Sequence, residues 1–129
     1  MSKVVLDSSA LLALINNESG AARVEELLGN IVMSSVNVAE VASTLSAILD
    51  NEEELQLAIE PFIHSIIEFD KLQAYTTASL KNSTKHIGLS SLGDRACIAL
   101  GITLGLPIYT ADKIWAELKL ENTDIRLIR

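Results

Sequence analysis

The sequence contains few of the residues on which several protein classes depend. Its one cysteine, Cys97, excludes an internal disulfide and a cysteine-rich zinc site. Aromatic residues make up only 4% of the chain, so little aromatic surface is available for stacking bases. The start shows no signal-peptide pattern, and no apolar run approaches the roughly 18 residues of a membrane span. We therefore expect a cytoplasmic protein in which residues 1–129 form a single domain, with 49% hydrophobic residues for its core.

The charge of the chain is unevenly distributed along its length. The net charge of −7 argues against a non-specific nucleic-acid binder. Residues 1–70 contain 12 acidic and 2 basic residues, whereas residues 71–129 contain 5 acidic and 8 basic residues. The second part could therefore contact phosphate locally, although ordinary solvated charges explain the same pattern.

Short apolar runs alternate with helical patterns along the chain. This alternation predicts an α/β fold with a central, mostly parallel sheet of about five strands and helices on both faces. The polar segment 81–88 is expected to be an exposed loop. The predicted strands are residues 4–6, 31–33, 66–69, 106–110 and 125–128. The predicted helices are residues 9–15, a segment capped by Ser19 that ends at Gly29, and residues 37–49, 52–63, 71–80, 91–104 and 112–118.

Two aspartates lie at strand-to-helix junctions. Asp7 ends the first predicted strand, and Asp112 follows the strand that ends at Thr110. Ligands of open α/β sheets bind beyond the carboxyl ends of the strands, so both carboxylates are expected at that edge. Helix capping is the alternative explanation for each.

Two further acids occur in helical patterns. Asn37, Glu40 and Thr44 are spaced to form one polar stripe on an otherwise apolar helix. Glu40 could point into a polar site or belong to a solvated face. Asp94 opens a helix whose continuation is almost wholly apolar, which places it near the core, although Ser91 and Asp94 also fit a capping box.

Together the four acids predict a metal site. Carboxylates that are brought together raise each other's pKa and repel one another, and a divalent cation removes that penalty. Oxygen-only ligands favour Mg²⁺ or Mn²⁺. Such ions can position a phosphodiester and activate a water for in-line attack.

The order of four short motifs resembles that of the PIN-domain ribonucleases, in particular the VapC-like toxins of type II toxin–antitoxin systems. The motifs are Asp7-Ser8-Ser9, Asn37-x-x-Glu40, Gly93-Asp94-Arg95 and Thr110-Ala111-Asp112. Each motif is weak alone, but their order and their strand–helix context cover essentially the whole chain. The resemblance implies a single three-layer domain and a divalent-metal-dependent endoribonuclease.

The resemblance also implies roles for individual residues and partners. Catalytic and metal-binding roles pass to Asp7, Glu40, Asp94 and Asp112, and supporting polar roles pass to Ser9, Asn37 and Thr110. A homodimer and a cognate antitoxin that inserts a segment into the active-site groove are further implications.

Four basic or titratable residues are candidates for RNA contact. Lys85 and His86 precede the Asp94 helix, Arg95 follows Asp94, and Lys113 follows Asp112. A solvated loop is the alternative for Lys85 and His86, and a structural ion pair is the alternative for Arg95.

Two other function classes remain open from the sequence. The first is a binding module of the same fold with a weak or silent site, which would sequester RNA or a protein. The second is a receiver-like or phosphatase-like α/β domain. A haloacid-type phosphatase would need Asp-x-Asp, whereas Ser9 stands two residues after Asp7.

Overall fold

The computed structural model describes residues 2–129. Five short strands form one sheet in the order β3-β2-β1-β4-β5, and every neighbouring pair is parallel. The predicted α/β class and the five-stranded sheet are therefore confirmed. The strands are β1 (Val4–Leu6), β2 (Ile31–Ser34), β3 (Ser65–Ile67), β4 (Ile108–Thr110) and β5 (Ile125–Leu127).

Within residues 2–129, seven α-helices connect and flank these strands. One short 3₁₀-helix lies between α4 and β3, a second follows α6, and a third lies between β4 and β5. The α-helices are α1 (Ser8–Ile15), α2 (Ala21–Glu25), α3 (Ser35–Leu45), α4 (Glu52–Ile59), α5 (Lys71–Ser79), α6 (Lys81–Thr84) and α7 (Leu92–Leu104). The 3₁₀-helices are Glu60–Phe62, Lys85–Ile87 and Lys113–Glu117.

The sheet separates two apolar cores because successive strand residues point to opposite faces. Leu6 and Tyr109 pack with helices α1 to α4 on one face. Val5 and Ile108 pack with α7 and Trp115 on the other face. The chain thus forms the three layers, helices on sheet on helices, that bury a parallel sheet on both sides.

Helix α7 is the central helix of its face. Six consecutive residues, Ala96–Gly101, are buried, and the helix contacts β1, β2 and β4. Gly101 permits this close packing, since a Cβ there would overlap with the side chain of Ile108. Gly105 ends the helix with φ +65°, which confirms the predicted stop.

Two local expectations were wrong. The residue that precedes α2 is Gly20, not Ser19. Glycine suits this position because its φ is +96° and because a Cβ there would overlap with Ile128. Segment 81–88 is largely exposed, as expected, but it is not a loop, because it forms α6 and a 3₁₀-turn. Thr84 attaches the segment to the core, since its side chain is fully buried and its hydroxyl donates to the Leu80 carbonyl at 2.9 Å.

Several helix ends follow the sequence prediction, and others differ by a few residues. Asn51, Asp70 and Ser91 cap their helices through side-chain oxygens, as expected. Helix α3 ends at Leu45 instead of continuing to residue 49. Within residues 2–129, no helix is both long and apolar enough to cross a membrane.

Candidate active site

The four acids lie on elements that meet at the carboxyl edge of the sheet. Asp7 directly follows β1, and Asp112 comes two residues after the adjacent strand β4. Glu40 lies in α3, the helix that follows β2, and Asp94 lies in the first turn of α7. The expectation that Asp7 and Asp112 share one edge of the sheet agrees with this placement.

Asp7 is the most deeply placed of these acids, with only 5% of its surface exposed. Its Oδ1 accepts a hydrogen bond from the backbone N–H of Ala10 at 2.9 Å, so it also caps α1. Burial raises the pKa of Asp7 from 3.8 to about 6, against the lowering effect of hydrogen bonds from Thr110, Ala10 and Ser9. The nearby charge of Asp94 adds a smaller rise. At neutral pH the Asp7 carboxylate is therefore ionised although its burial disfavours the charge, and a nearby cation would stabilise it.

Two hydroxyls fix the Asp7 carboxylate to the end of β4. Thr110 Oγ1 donates to Asp7 Oδ2 at 2.6 Å, and Ser9 Oγ donates to Asp7 Oδ1 at 2.8 Å. The same hydroxyls accept backbone hydrogen bonds, Thr110 from Asp112 at 3.0 Å and Ser9 from Ala111 at 3.0 Å. The network thus sets the position of Asp112 relative to Asp7.

Two side chains hold the Glu40 carboxylate in one position. Ser8 Oγ donates to Glu40 Oε1 at 2.6 Å, and Asn37 Nδ2 donates to the same oxygen at 2.9 Å. Asn37 Nδ2 also donates to the carbonyl of Gly93 at 3.0 Å, which links α3 to α7. The carboxylate occupies the space that a Cβ at Gly93 would fill. Glu40 is exposed, as the solvated-face alternative expects, but its carboxylate is held in position by these hydrogen bonds.

Ser8 was missed by the sequence analysis. It adjoins Asp7 and Ser9 in one short motif, and the motif itself contains no signal that separates the roles of the two serines. Only the approach of α3 brings Ser8 to Glu40, which is 32 residues away in sequence.

Asp94 and Asp112 complete the group of acids. Partial burial is the main cause of the raised pKa of Asp94; a hydrogen bond with Ser91 opposes it, and the charges of Glu40 and Asp112 add to it. Asp112 is exposed, and its Oδ1 accepts the N–H of Ile114 at 3.2 Å, so the capping interpretation holds for it as well. Glu40 and Asp112 therefore lie close enough to Asp94 for their negative charges to repel its carboxylate.

The four candidates for RNA contact have different surroundings. Lys85, His86 and Lys113 are exposed, and in the described chain their side chains make no hydrogen bond or ion pair. Arg95 is half-buried and donates to two backbone carbonyls, Ser90 at 3.0 Å and Thr77 at 3.0 Å. Arg95 thus holds the segment before α7 against α5.

The oxygen atoms of the four acids are ligands that suit a hard divalent cation, but the side chains do not converge on one point. All candidate ligands are carboxylates, and the Oδ1 of buried Asn37, beside Glu40, has no hydrogen-bond partner. Between Ser2 and Arg129, no three Asp, Glu, His or Cys side chains stand close enough to hold an ion as they are. Binding would therefore require the more exposed carboxylates to turn towards Asp7.

The chain matches the family model of the PIN domain over residues 4–120. Solved structures that share its fold include the following three. VapBC2 from Rickettsia felis bound to a DNA fragment from its promoter is 20% identical, with a TM-score of 0.72, over 96% of this chain and 97% of that chain. A toxin–antitoxin complex from Klebsiella pneumoniae is 19% identical, with a TM-score of 0.73, over 94% and 95% of the two chains. DNA-bound VapBC from Salmonella typhimurium is 17% identical, with a TM-score of 0.70, over 100% of each. A search of curated proteins finds no match.

Proposed function

Because the chain belongs to the PIN domain family, we propose that it is a Mg²⁺- or Mn²⁺-dependent endoribonuclease and the toxin of a toxin–antitoxin pair. The observation that carries the proposal is the carboxyl edge of the sheet. There the buried carboxylate of Asp7 has a pKa of about 6, which the charge of Asp94 helps to raise, and hydrogen bonds position the Glu40 carboxylate and the backbone of Asp112.

The four acids would hold the cation and handle the proton of the attacking water. Asp7 is the fixed member, since three groups donate to its carboxylate. The Asn37 and Ser8 hydrogen bonds to Oε1 leave Oε2 of Glu40 as the oxygen available to a ligand. A bound Mg²⁺ or Mn²⁺ would supply positive charge against the phosphodiester oxygens and lower the pKa of the attacking water. One of the carboxylates would accept the proton of that water.

The proposed partners follow from the relatives that share the fold. Those structures are toxin–antitoxin complexes, and we extend the same assembly to this chain. A cognate antitoxin would inhibit the enzyme by inserting a segment beside the four acids. The toxin would act as a cytoplasmic homodimer, with Lys85, His86 and Lys113 as candidates for contact with RNA phosphates.

The test is cleavage of mixed cellular RNA by purified wild type and by Asp94→Asn, with Mg²⁺, with Mn²⁺ and with EDTA. We expect cleavage only by the wild type with metal, and a loss on the order of 100-fold in the variant. Calorimetry with Mn²⁺ should show weaker binding by Asp94→Asn. Glu121→Gln changes one exposed carboxylate outside the site and should behave as the wild type does.

Two results would contradict the proposal. One is metal-dependent cleavage by Asp94→Asn at the rate of the wild type, which would show that the acids of the site are not required. The other is no metal-dependent cleavage by wild type freed of co-purifying antitoxin, together with tight RNA binding. That second result would favour the binding module with a silent site.

A further inference from the structure

A cleft of about 360 Å³ lies away from the four acids, between α2 and strands β1, β4 and β5. Lys3 and Pro107, which line it, precede β1 and β4, whereas Asp7 and Asp112 follow these strands. The cleft therefore opens near the amino edge of the sheet, opposite the acids. Its walls also include Arg23, Glu26, Leu27, Tyr109 and Arg126.

Three cations line this cleft. The first 70 residues contain 12 acids and only two basic residues, Lys3 and Arg23. Both line the cleft, and Arg126 joins them from the last strand. A chain with a net charge of −7 thus brings three cations from distant sequence positions to one cavity.

The two arginines are held in place by Tyr109, which is only 3% exposed. The guanidinium carbon of Arg23 lies 5.6 Å from the ring centroid, and that of Arg126 lies 5.8 Å from it. Arg126 also donates to the Tyr109 hydroxyl at 3.2 Å and pairs with Asp124 at 2.9 Å. These contacts favour the side-chain conformations that line the cleft, which lowers the entropy lost on binding.

Each cation retains unused N–H donors. Arg23 pairs only with Glu26, at 3.3 Å, out of its five guanidinium N–H groups. Arg126 uses three N–H groups on Asp124 and Tyr109. Lys3 has no ion pair or side-chain hydrogen bond among residues 2–129. Glu26 and Asp124 offset two of the three charges, so one positive charge remains for a ligand.

We infer that this cleft, lined by Lys3, Arg23 and Arg126 around Tyr109, binds a phosphate group carried by a nucleotide-sized molecule. Guanidinium forks match phosphate oxygens in pairs, and a lysine adds a point charge. The apolar wall at Val4, Leu27 and Pro107 suits the uncharged part of such a ligand. A cavity of about 360 Å³ lies at the small end of ligand sites, so it has room for about one nucleotide.

The test is an NMR titration of the full-length, ¹⁵N-labelled chain with adenosine 5′-monophosphate in EDTA, so that the acids hold no metal. Saturable shifts of amides in α2 and β5 are expected. Adenosine, which lacks the phosphate, should cause none. Lys3→Gln and Arg126→Gln should each weaken binding about tenfold, since each removes charge-assisted hydrogen bonds.

Arg129→Gln is the matched control, because Arg129 pairs with Glu18 outside the cleft and carries the same charge. It should change the affinity by less than about twofold. Arg126→Gln also removes the hydrogen bond to Tyr109 and could lower affinity by disturbing the fold. Lys3→Gln controls for this effect, since Lys3 forms no ion pair among residues 2–129. The inference is overturned if adenosine binds equally, if no saturable shift occurs, or if Arg129→Gln weakens binding as much as the cleft variants do.

Two further probes distinguish the source of the phosphate. A 5′-phosphorylated RNA trinucleotide that binds at least tenfold more tightly than the mononucleotide, and than its 5′-hydroxyl form, would identify an RNA end. Equal affinities would identify a free nucleotide. Binding of a glutamate-rich peptide without binding of any phosphate compound would overturn the inference in favour of an acidic protein partner.

Discussion

Replacing Asp7 with asparagine should stabilise the protein above pH 6 when no divalent cation is present. The folded chain binds the Asp7 proton more tightly than the unfolded chain does, because burial raises the pKa from 3.8 to about 6. The free energy of unfolding therefore falls as the pH rises through this range. The full loss is about 3 kcal/mol, or roughly 10 °C in Tm for a chain of this size. Asparagine does not titrate and escapes this loss.

The hydrogen bonds around position 7 can accommodate an amide. Thr110 Oγ1 and Ser9 Oγ lie 3.3 Å apart, and either can donate to the other. With an amide nitrogen in place of Oδ2, the Thr110 hydroxyl can accept from it and donate to Ser9 instead. Ser9 then still donates to Oδ1, and no hydroxyl exceeds its one donor and two acceptor positions. The substitution thus removes the charge and keeps Thr110, Ser9 and Oδ1 paired, with one N–H of the amide donating to Thr110.

The assay is urea unfolding, followed by circular dichroism, at pH 4 and pH 7.5 in EDTA. The advantage of Asp7→Asn over wild type should be small at pH 4 and approach about 3 kcal/mol at pH 7.5. Asp50→Asn removes one negative charge at an exposed position and serves as the control. An Asp7→Asn variant that is no more stable than wild type at pH 7.5, or whose advantage does not depend on pH, would refute the reasoning.

Two further substitutions probe the same site. Gly93→Ala should displace the Glu40 carboxylate, since a Cβ would take its place. It should therefore reduce metal-dependent cleavage more than about tenfold while changing stability by less than about 1 kcal/mol; full activity would exclude a role for the Glu40 position. Thr110→Val removes a hydrogen bond that lowers the pKa of Asp7, so NMR titration of the Asp7 carboxyl carbon should give a pKa above that of wild type, and a lower value would contradict the assigned donor.

Local chemistry made much of the fold predictable. The side chain of Asp7 caps α1 through a residue three positions away, and Ser91 caps α7 in the same manner. Caps of this kind depend on neighbours in sequence, so the residue type alone indicates them. The alternation of apolar runs with helical patterns likewise predicted the parallel sheet, because the positions of buried side chains repeat with the period of each element.

Segment 81–88 shows where such reasoning stops. Its composition is polar and favours a loop, yet the buried side chain of Thr84 and the neighbouring Leu80 attach it to the core. Packing against residues that are distant in sequence decided the conformation of this segment, and the composition of the segment does not indicate such contacts.

The sequence by itself determined the α/β architecture, the strand ends at which Asp7 and Asp112 stand, and the order of the four acids. Tertiary structure alone decided that Ser8 meets Glu40, that Gly93 leaves room for its carboxylate, and that Lys3, Arg23 and Arg126 share one cleft. The physical reason is the range of the interactions. Caps and periodic patterns act within a few residues, whereas these contacts join positions that only the packing of helices on the sheet brings together.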